Sequence, residues 1–448
     1  MSIEILANDC EIKALCSLIE NNGYRAYLVG GCVRDALMGT RSSDIDITTS
    51  AMPEEICRIF ENNGYNTIRT GILHGTVSVI SGTRTFEITT MRREDKYEDS
   101  RHPSDICFVD SIEQDLCRRD FTINAIAYSY SEDKIIDLFD GIGDIYNRVI
   151  RCVGEPMIRF SEDALRILRA LRFSSVLCFS IDEATSDAIL KCKNKLLCIS
   201  SERVKRELDK ILLGDGAGRI LYDYSDVFGV IIEEINKCKG FDQHSKYHVY
   251  DVLKHICGVI DSTPKKLSLR YAALLHDIAK PNTFFLDENG EGHFHGHSAN
   301  SAEIASEVMK KLKFDKKNSD AVYTLVKHHD TPLPPEVDLI KRRLRKHGNE
   351  LFFDLIDLAI ADCLAQSPEL RYRLEIYEQI KKTTRSVIES CDCVDRVDLK
   401  INGRDLIALG LKGRDIGKTL EFLLDGVITG KLNNDREQLL CAARSYID

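Results

Sequence analysis

Two periods of apolar residues run along this chain, and the change from one to the other divides it. In the first part, AYLVGG reads as a short strand entering a helix, CVRDALMG, which Gly39 ends. The segments DIDITT, GTVSVI and TFEITT are rich in β-branched residues and predict a small sheet. From about residue 155 the strand signals fade. Apolar positions then recur at helical spacing, as in Leu165, Leu168 and Leu171, and in Val249, Val252, Leu253 and Ile256. Breaks near GFDQHSKY (240–247) and TPLPPE (331–336), and a turn-rich DENGEGHFHGHS, interrupt the helical part. No internal repeat or low-complexity tract is visible. The pattern predicts an α+β protein. An α/β head spans residues 1–150 and a helical neck 151–240; a His-rich helical domain over 241–365 and a helical tail over 366–448 follow.

Composition narrows this picture. A chain of 448 residues with 43% hydrophobic content can fill several ordinary cores. No apolar run approaches the ~20 residues a bilayer demands, and MSIEILANDC lacks a basic, then apolar, leader, so a cytoplasmic protein is expected. The sixteen cysteines are scattered, and Cys391 with Cys393 has no partner pair at zinc-finger spacing, so they read as free thiols. A net charge of −10 argues against nucleic-acid binding through bulk electrostatics but leaves room for local grooves. Two basic runs, Lys341, Arg342, Arg343, Arg345, Lys346 and Arg203, Lys205, Arg206, read either as solvated helix faces or as RNA contacts.

The head concentrates the chemistry. Asp44 and Asp46 lie two apart at a strand start, so their carboxylates share a face and can grip the same cations; Glu87 on TFEITT is a candidate third. Fourteen residues earlier, Gly30 and Gly31 stand at a strand-to-helix turn where backbone N–H groups can approach a phosphate, with Arg34 one turn in as a clamp. The segment from Arg118 to Ala125, RRDFTINA, gathers phosphate- and ribose-binding groups. A helix is expected to open at Ser161 as N-cap, with Asp163 and Arg166 three apart on one side. Such a pair either reads a base edge or forms a surface salt bridge.

In that order, LVGGCVRDALMG, DIDITT, RRDFTINA and SEDALRILRALRF resemble the class II tRNA nucleotidyltransferases, which include CCA-adding enzymes and bacterial poly(A) polymerases. The resemblance implies a polymerase-β-like palm followed by an elongated all-α body. It implies Mg²⁺ on Asp44 and Asp46, nucleotide binding by Arg119, Asp120 and Asn124, and an amino-acid template of Glu162, Asp163 and Arg166 that accepts CTP or ATP. Arg169 continues that arginine series. The partner is then a tRNA 3′ end. The segment MRREDKYEDSRHP (91–103) resembles the flexible loop of members that add the terminal A. A poly(A) polymerase is the nearest alternative within the family.

Histidines cluster in the third part. His248 begins HVYDVLKHI, and His276-Asp277 follows an apolar run in a stretch that resembles HD-family metal phosphohydrolases. His293, His295, His297, His328, His329 and Asp362 lie downstream. The expected ligands are His248, His276, Asp277, His297, His328 and Asp362, a set suited to Mn, Fe, Ni or Mg. An active phosphohydrolase, with the head as its regulator, and a retained fold with a degenerate site both remain open. The tail offers the stripe Leu420, Leu423, Leu424 and Val427, which helical packing accounts for.

Overall fold

One mixed sheet of seven strands organises the first part of the chain: β1 (Ala26–Val29), β2 (Ile45–Thr49), β3 (Asn66–Ile68), β4 (Thr76–Ser81), β5 (Arg84–Thr90), β6 (Ile126–Ser129) and β7 (Lys134–Asp137). Their order across the sheet is β3-β4-β5-β2-β1-β6-β7. The computed structural model describes residues 3–42, 44–69, 71–94, 106–245, 247, 249–390 and 392–447. It divides into two units, Met1–Glu233 and Glu234–Asp448.

The apolar run AYLV is buried at all four positions, as a strand covered on both faces must be. It lies antiparallel to both β2 and β6. In β5 the alternation is plain: Phe86, Ile88 and Thr90 are buried while Thr85 and Glu87 face out. Strands β2 and β5 run parallel, in a register that puts Asp46 beside Glu87. A parallel pair needs a crossover, and the Pro53–Asn62 helix with β3 and β4 provides it. Later in this unit the Leu165–Leu177 helix buries Leu165, Leu168 and Leu171, the predicted stripe.

Among its described residues, the second unit's regular structure is helical apart from a hairpin of two-residue strands, Phe285–Leu286 against Gly292–His293, formed around the DENGEG turn. Its helices include Val252–Ser262, Leu267–Leu275, His297–Lys311, Lys316–His328 and Asn349–Ala365. The helix expected to start at His248 starts later. Asp251 caps it by accepting the Lys254 N–H at 2.7 Å, and Val249 is left exposed. His248 itself lies outside the described residues. Near the end of the chain, Leu406, Leu423, Leu424 and Leu439 form a small core. Much of the first basic run fastens this region: Lys341 pairs with Asp392 at 2.9 Å, Arg345 with Glu421 at 2.5 Å, and Arg342 with Asp425. Among the described residues no helix is long and apolar enough to cross a membrane.

Two glycines separate packing from propensity. A Cβ on Gly141 would lie 2.3 Å from the Thr122 carbonyl oxygen, a backbone atom that cannot step aside. Gly417, inside the Arg414–Ile428 helix, has nothing within 4 Å of that position. Gly141→Ala is expected to lower stability by about 1–3 kcal/mol. Gly417→Ala should be neutral or stabilising by up to about 1 kcal/mol. Thermal unfolding of both variants checks the contrast.

Candidate active site

Asp46 is the most constrained group of the head. The left-handed turn at Gly30 (φ +79°) brings the backbone so close that a Cβ there would sit 3.0 Å from Arg119 Nη1 and 3.5 Å from Asp46 Oδ2. Backbone, guanidinium and carboxylate therefore meet at one point. Glu87 stands beside Asp46 across the parallel pair, and Asp44 is exposed just ahead of β2. Burial pushes the Asp46 carboxyl up to about 6; Arg119 opposes this, while Glu87 and Asp44 add to it. Three carboxylates crowded on the two central strands β2 and β5 or just ahead of them are a hard oxygen donor set, which suits Mg²⁺.

Arg34 does not extend as an exposed clamp. It is buried, donating from Nη1 to Asn124 Oδ1 at 2.8 Å and from Nε to Asp35 at 2.9 Å. RRDFTINA is held by two buried acids. Asp115 receives Arg118 at 2.8 Å and Arg119 at 3.2 Å. Burial works against the Asp115 charge, but the two arginines outweigh it and keep the carboxyl below its usual range. Asp120 accepts Arg169 Nε at 2.6 Å and the Phe121 N–H at 2.9 Å, and Asn124 Nδ2 reaches it at 3.5 Å. Arg169, Asp120, Asn124, Arg34 and Asp35 thus form one continuous chain of hydrogen bonds.

The expected single helix through Ser161 is corrected. Pro156–Glu162 and Leu165–Leu177 are separate helices, and Asp163 between them is extended (φ −142°, ψ 107°). Pro156 suits a first turn, so the first helix starts early. Ser161 lies inside it and donates to the Met157 carbonyl at 2.7 Å instead of capping. Asp163 Oδ1 accepts the Leu165 N–H at 3.0 Å and Oδ2 pairs with Arg203 at 2.7 Å. Arg166 pairs with Glu162 and donates to the carbonyls of Arg159 at 3.2 Å and Arg118 at 3.3 Å. The two side chains are thus fixed by different neighbours. Asp115 and Arg159 belong to this assembly and were not singled out from sequence; Arg203, which also belongs to it, was read only as part of a basic run. Arg203 pairs with Asp163 from forty residues away, too far for spacing to show, whereas Asp115 and Arg159 pair within four residues and were passed over. Of the flexible-loop segment, residues 95–103 lie outside the described residues.

In the second unit, His276, Asp277, His297 and Asp362 come together with two histidines that were not expected, His255 and His329. His255 Nε2 lies 3.0 Å from Asp362 and 3.3 Å from Asp277 Oδ2; His276 Nε2 lies 3.3 Å from the same oxygen. His297 and His329 approach Asp277 Oδ1 at 3.3 and 3.4 Å. His328 does not join them. Its ring packs on His347 and its Nε2 meets Lys346 at 3.3 Å, because adjacent helical residues point about 100° apart. Lys280 pairs with Asp277 at 2.7 Å. A cleft of about 310 Å³ opens beside the cluster, lined by Lys280, His293, His295 and Asp362 among others.

Comparison with known proteins finds relatives in both halves of the chain. A family described as "Poly A polymerase head domain" matches residues 26–151. "Probable RNA and SrmB- binding site of polymerase A" matches 178–236, and a second domain of tRNA nucleotidyltransferases matches 297–443. The CCA-adding enzyme of Leuconostoc mesenteroides is 32% identical over 440 residues, 98% of this chain and 96% of that one. That of Lactobacillus delbrueckii is 48% identical over 206 residues, which span 46% of this chain and only about half (51%) of the relative. The crystal structure of the Bacillus stearothermophilus CCA-adding enzyme with CTP superposes with a TM-score of 0.70 at 27% identity, covering 97% of this chain and 96% of that one.

The raised Asp46 carboxyl makes a stability test possible. Its value in the fold, about 6, exceeds that of an unfolded aspartate. Its protonated form is therefore favoured by folding, and that contribution is lost as pH rises through 6. In metal-free protein at neutral pH, Asp46→Asn should raise stability by on the order of 1–3 kcal/mol. The gain should shrink toward pH 4, and added Mg²⁺ should stabilise the parent more than the variant. Thermal melts across pH, with and without Mg²⁺, measure all three.

Proposed function

The chain belongs to the family of CCA-adding enzymes, and from that membership we propose that it adds CMP and AMP from CTP and ATP to the 3′ end of tRNA. The observation that carries the reading is the meeting of Asp46, Arg119 and the Gly30 turn beside Glu87 and Asp44. When bound at these carboxylates, magnesium would supply activation of the attacking 3′ hydroxyl and charge neutralisation for the leaving pyrophosphate. Asp44, Asp46 and Glu87 would hold it. Arg119 is already aimed at this point, with Asp115 fixing its far side, so it can meet triphosphate charge without first losing side-chain freedom. Gly30 and Gly31 leave room for a phosphate to approach the backbone. Asp120, Asn124 and Arg34 form the buried frame that holds the segment in place, with Arg169 locking it to the next helix.

Base choice is assigned to Asp163 and Arg166, with Glu162 orienting Arg166. Cytosine and adenine both present an exocyclic amino donor beside a ring-nitrogen acceptor; uracil and guanine present a carbonyl beside a ring N–H. A carboxylate next to a guanidinium matches the first pattern and opposes the second. A wrong base leaves both charged groups facing like partners, which costs several kcal/mol in a buried site. No nucleic-acid template is then needed. The cytoplasm, where tRNA ends are made and repaired, is the compartment this reading assigns.

A second activity is favoured by the histidine cluster: hydrolysis of a phosphate ester by an HD-type centre holding a divalent transition metal. His255, His276, Asp277 and Asp362 offer imidazole and carboxylate donors of the type such ions take.

With tRNA ending at the discriminator base plus CTP and ATP, sequenced products should end in C, CC and CCA and stop there. Growth beyond three nucleotides with ATP alone would instead mark a poly(A) polymerase. Arg166→Ala is expected to reduce the preference for CTP and ATP over UTP and GTP by about 10²-fold or more, read from single-nucleotide incorporation. Asp44→Ala with Asp46→Ala should abolish addition yet leave any phosphohydrolase activity, whereas His276→Ala should remove the hydrolysis.

A further inference from the structure

We propose that Asp115 is a positioning residue that passes the seating of a short ribbon on to the Arg119 guanidinium, so that the ribbon sets how the head holds a triphosphate. The ribbon is Arg92–Glu94 paired antiparallel with Ile106–Phe108. The proposal rests on the reading of the head as a nucleotidyl-transfer site. It goes beyond that reading by naming what keeps Arg119 aimed and where in the chain that control begins.

The first argument is the division of the Asp115 carboxylate. The side chain is completely buried, so both of its oxygens need donors. Oδ1 accepts Arg118 Nε at 2.9 Å and the Arg92 backbone N–H at 3.3 Å, while Oδ2 accepts Arg119 Nη2 at 3.2 Å. Arg119 thus brings one nitrogen to Asp115 and the other, Nη1, to the Gly30 turn. Its Nε is buried and has no hydrogen-bond partner. A long side chain held in this way takes its direction from the anchor, and a guanidinium with donors to spare can turn them on an anion.

The second argument is that the anchor is held from the strand that bears Asp46. The Met91 N–H donates to the carbonyl of Thr49, at the end of β2, at 2.7 Å, and Met91 is completely buried. The next N–H, that of Arg92, meets Asp115. Asp115 orients Arg119, and Arg119 returns to Asp46 near the start of β2. The circuit closes on the strand where it began, which fixes the guanidinium before any substrate arrives. The ribbon itself is seated on the turn at Gly75. A Cβ there would lie 2.7 Å from Phe108 Cε1, and the Arg92 guanidinium donates to the His74 carbonyl. Shifting the ribbon therefore shifts the anchor of Arg119, and a misplacement of about 1 Å costs on the order of 10²-fold in rate.

The test uses the full chain with Mg²⁺, labelled CTP or ATP, and tRNA ending at the discriminator base or in CC, with kcat/KM read from single-nucleotide addition. Asp115→Asn keeps the shape and removes the charge. It should lower kcat/KM by about 10- to 100-fold, equally for CTP and ATP, because both carry the same triphosphate. Made in an Arg119→Ala background, the same substitution should cost less than about twofold, since the group it positions is gone. A loss of equal size in both backgrounds overturns the proposal and leaves Asp115 a packing role. A loss confined to one nucleotide overturns it in favour of base choice. Arg92→Pro removes the ribbon's N–H, whereas Arg92→Ala keeps it and drops only the side-chain contact to His74. The proline variant should be several-fold less active than the alanine variant, and this difference should vanish when Arg119→Ala is added. Equal activity of the two overturns the ribbon's part. Circular dichroism checks folding, and the Arg92 pair carries the test if Asp115→Asn does not fold. No addition by the parent overturns the reading of the head itself, and this inference with it.

Discussion

The ion pair between Asp120 and Arg169 is the interaction on which the head's chemistry depends. Asp120 is 8% exposed, and a carboxylate removed from water must be paired or it is neutralised. Arg169 belongs to a helix beginning more than forty residues later, so the pair ties the RRDFTINA segment to the Leu165–Leu177 helix. Losing one partner of a buried pair costs about 3–5 kcal/mol. The lower end applies here, because a third (34%) of the Arg169 side chain keeps contact with solvent. The stake is geometric as much as energetic. Asp120 also positions Asn124, Asn124 holds Arg34, and Arg34 lies against Gly31, next to the turn at Gly30. A change at Arg169 is therefore transmitted to the point where Asp46 and Arg119 meet.

The two candidate sites share a physical logic. Each gathers groups that favour a cation: three carboxylates side by side on or just ahead of β2 and β5, and imidazoles with carboxylates around Asp277. Folding energy from elsewhere holds these groups together, so the site gains stability only when the ion binds. The rigidity comes from neighbours without metal-binding roles. Asp115 fixes Arg119, and backbone carbonyls fix the rings. Preorganisation of this kind removes the cost of assembling ligands at the moment of binding.

Features that depend on local spacing were legible in the sequence. The D-x-D pair, the glycine turn, the strand alternation of TFEITT and the Leu165 stripe all follow from residues a few positions apart. Partners across long separations were not, which is why the pairing of Arg203 with Asp163 was missed; Asp115 was missed although Arg118 and Arg119 follow it at helical spacing. The two histidine misassignments are different, because local signals did exist. Asp251 followed by an apolar run marks a helix start, which puts His255 inside the helix and His248 before it. His329 continues the buried stripe of Val322, Leu325 and Val326 at seven, four and three residues, whereas His328 falls off that face. The break at Asp163 was the harder case. The sequence there is good for one helix, and the competing bond from the Asp163 side chain to the Leu165 N–H ends it.

Ligand chemistry also explains how one chain can keep two kinds of ion apart. Imidazole-rich sites follow the Irving–Williams order and take transition metals far more tightly than magnesium. All-carboxylate sites with exposed positions suit a cation that keeps several waters and is completed by substrate phosphates. Asp44 is exposed and Glu87 faces outward, so the head set cannot enclose an ion by itself. Affinity there rises only when a triphosphate adds its own oxygens, which couples metal loading to nucleotide loading. The cluster around Asp277 is the reverse case. Its imidazole and carboxylate groups are largely buried and already converge in the fold.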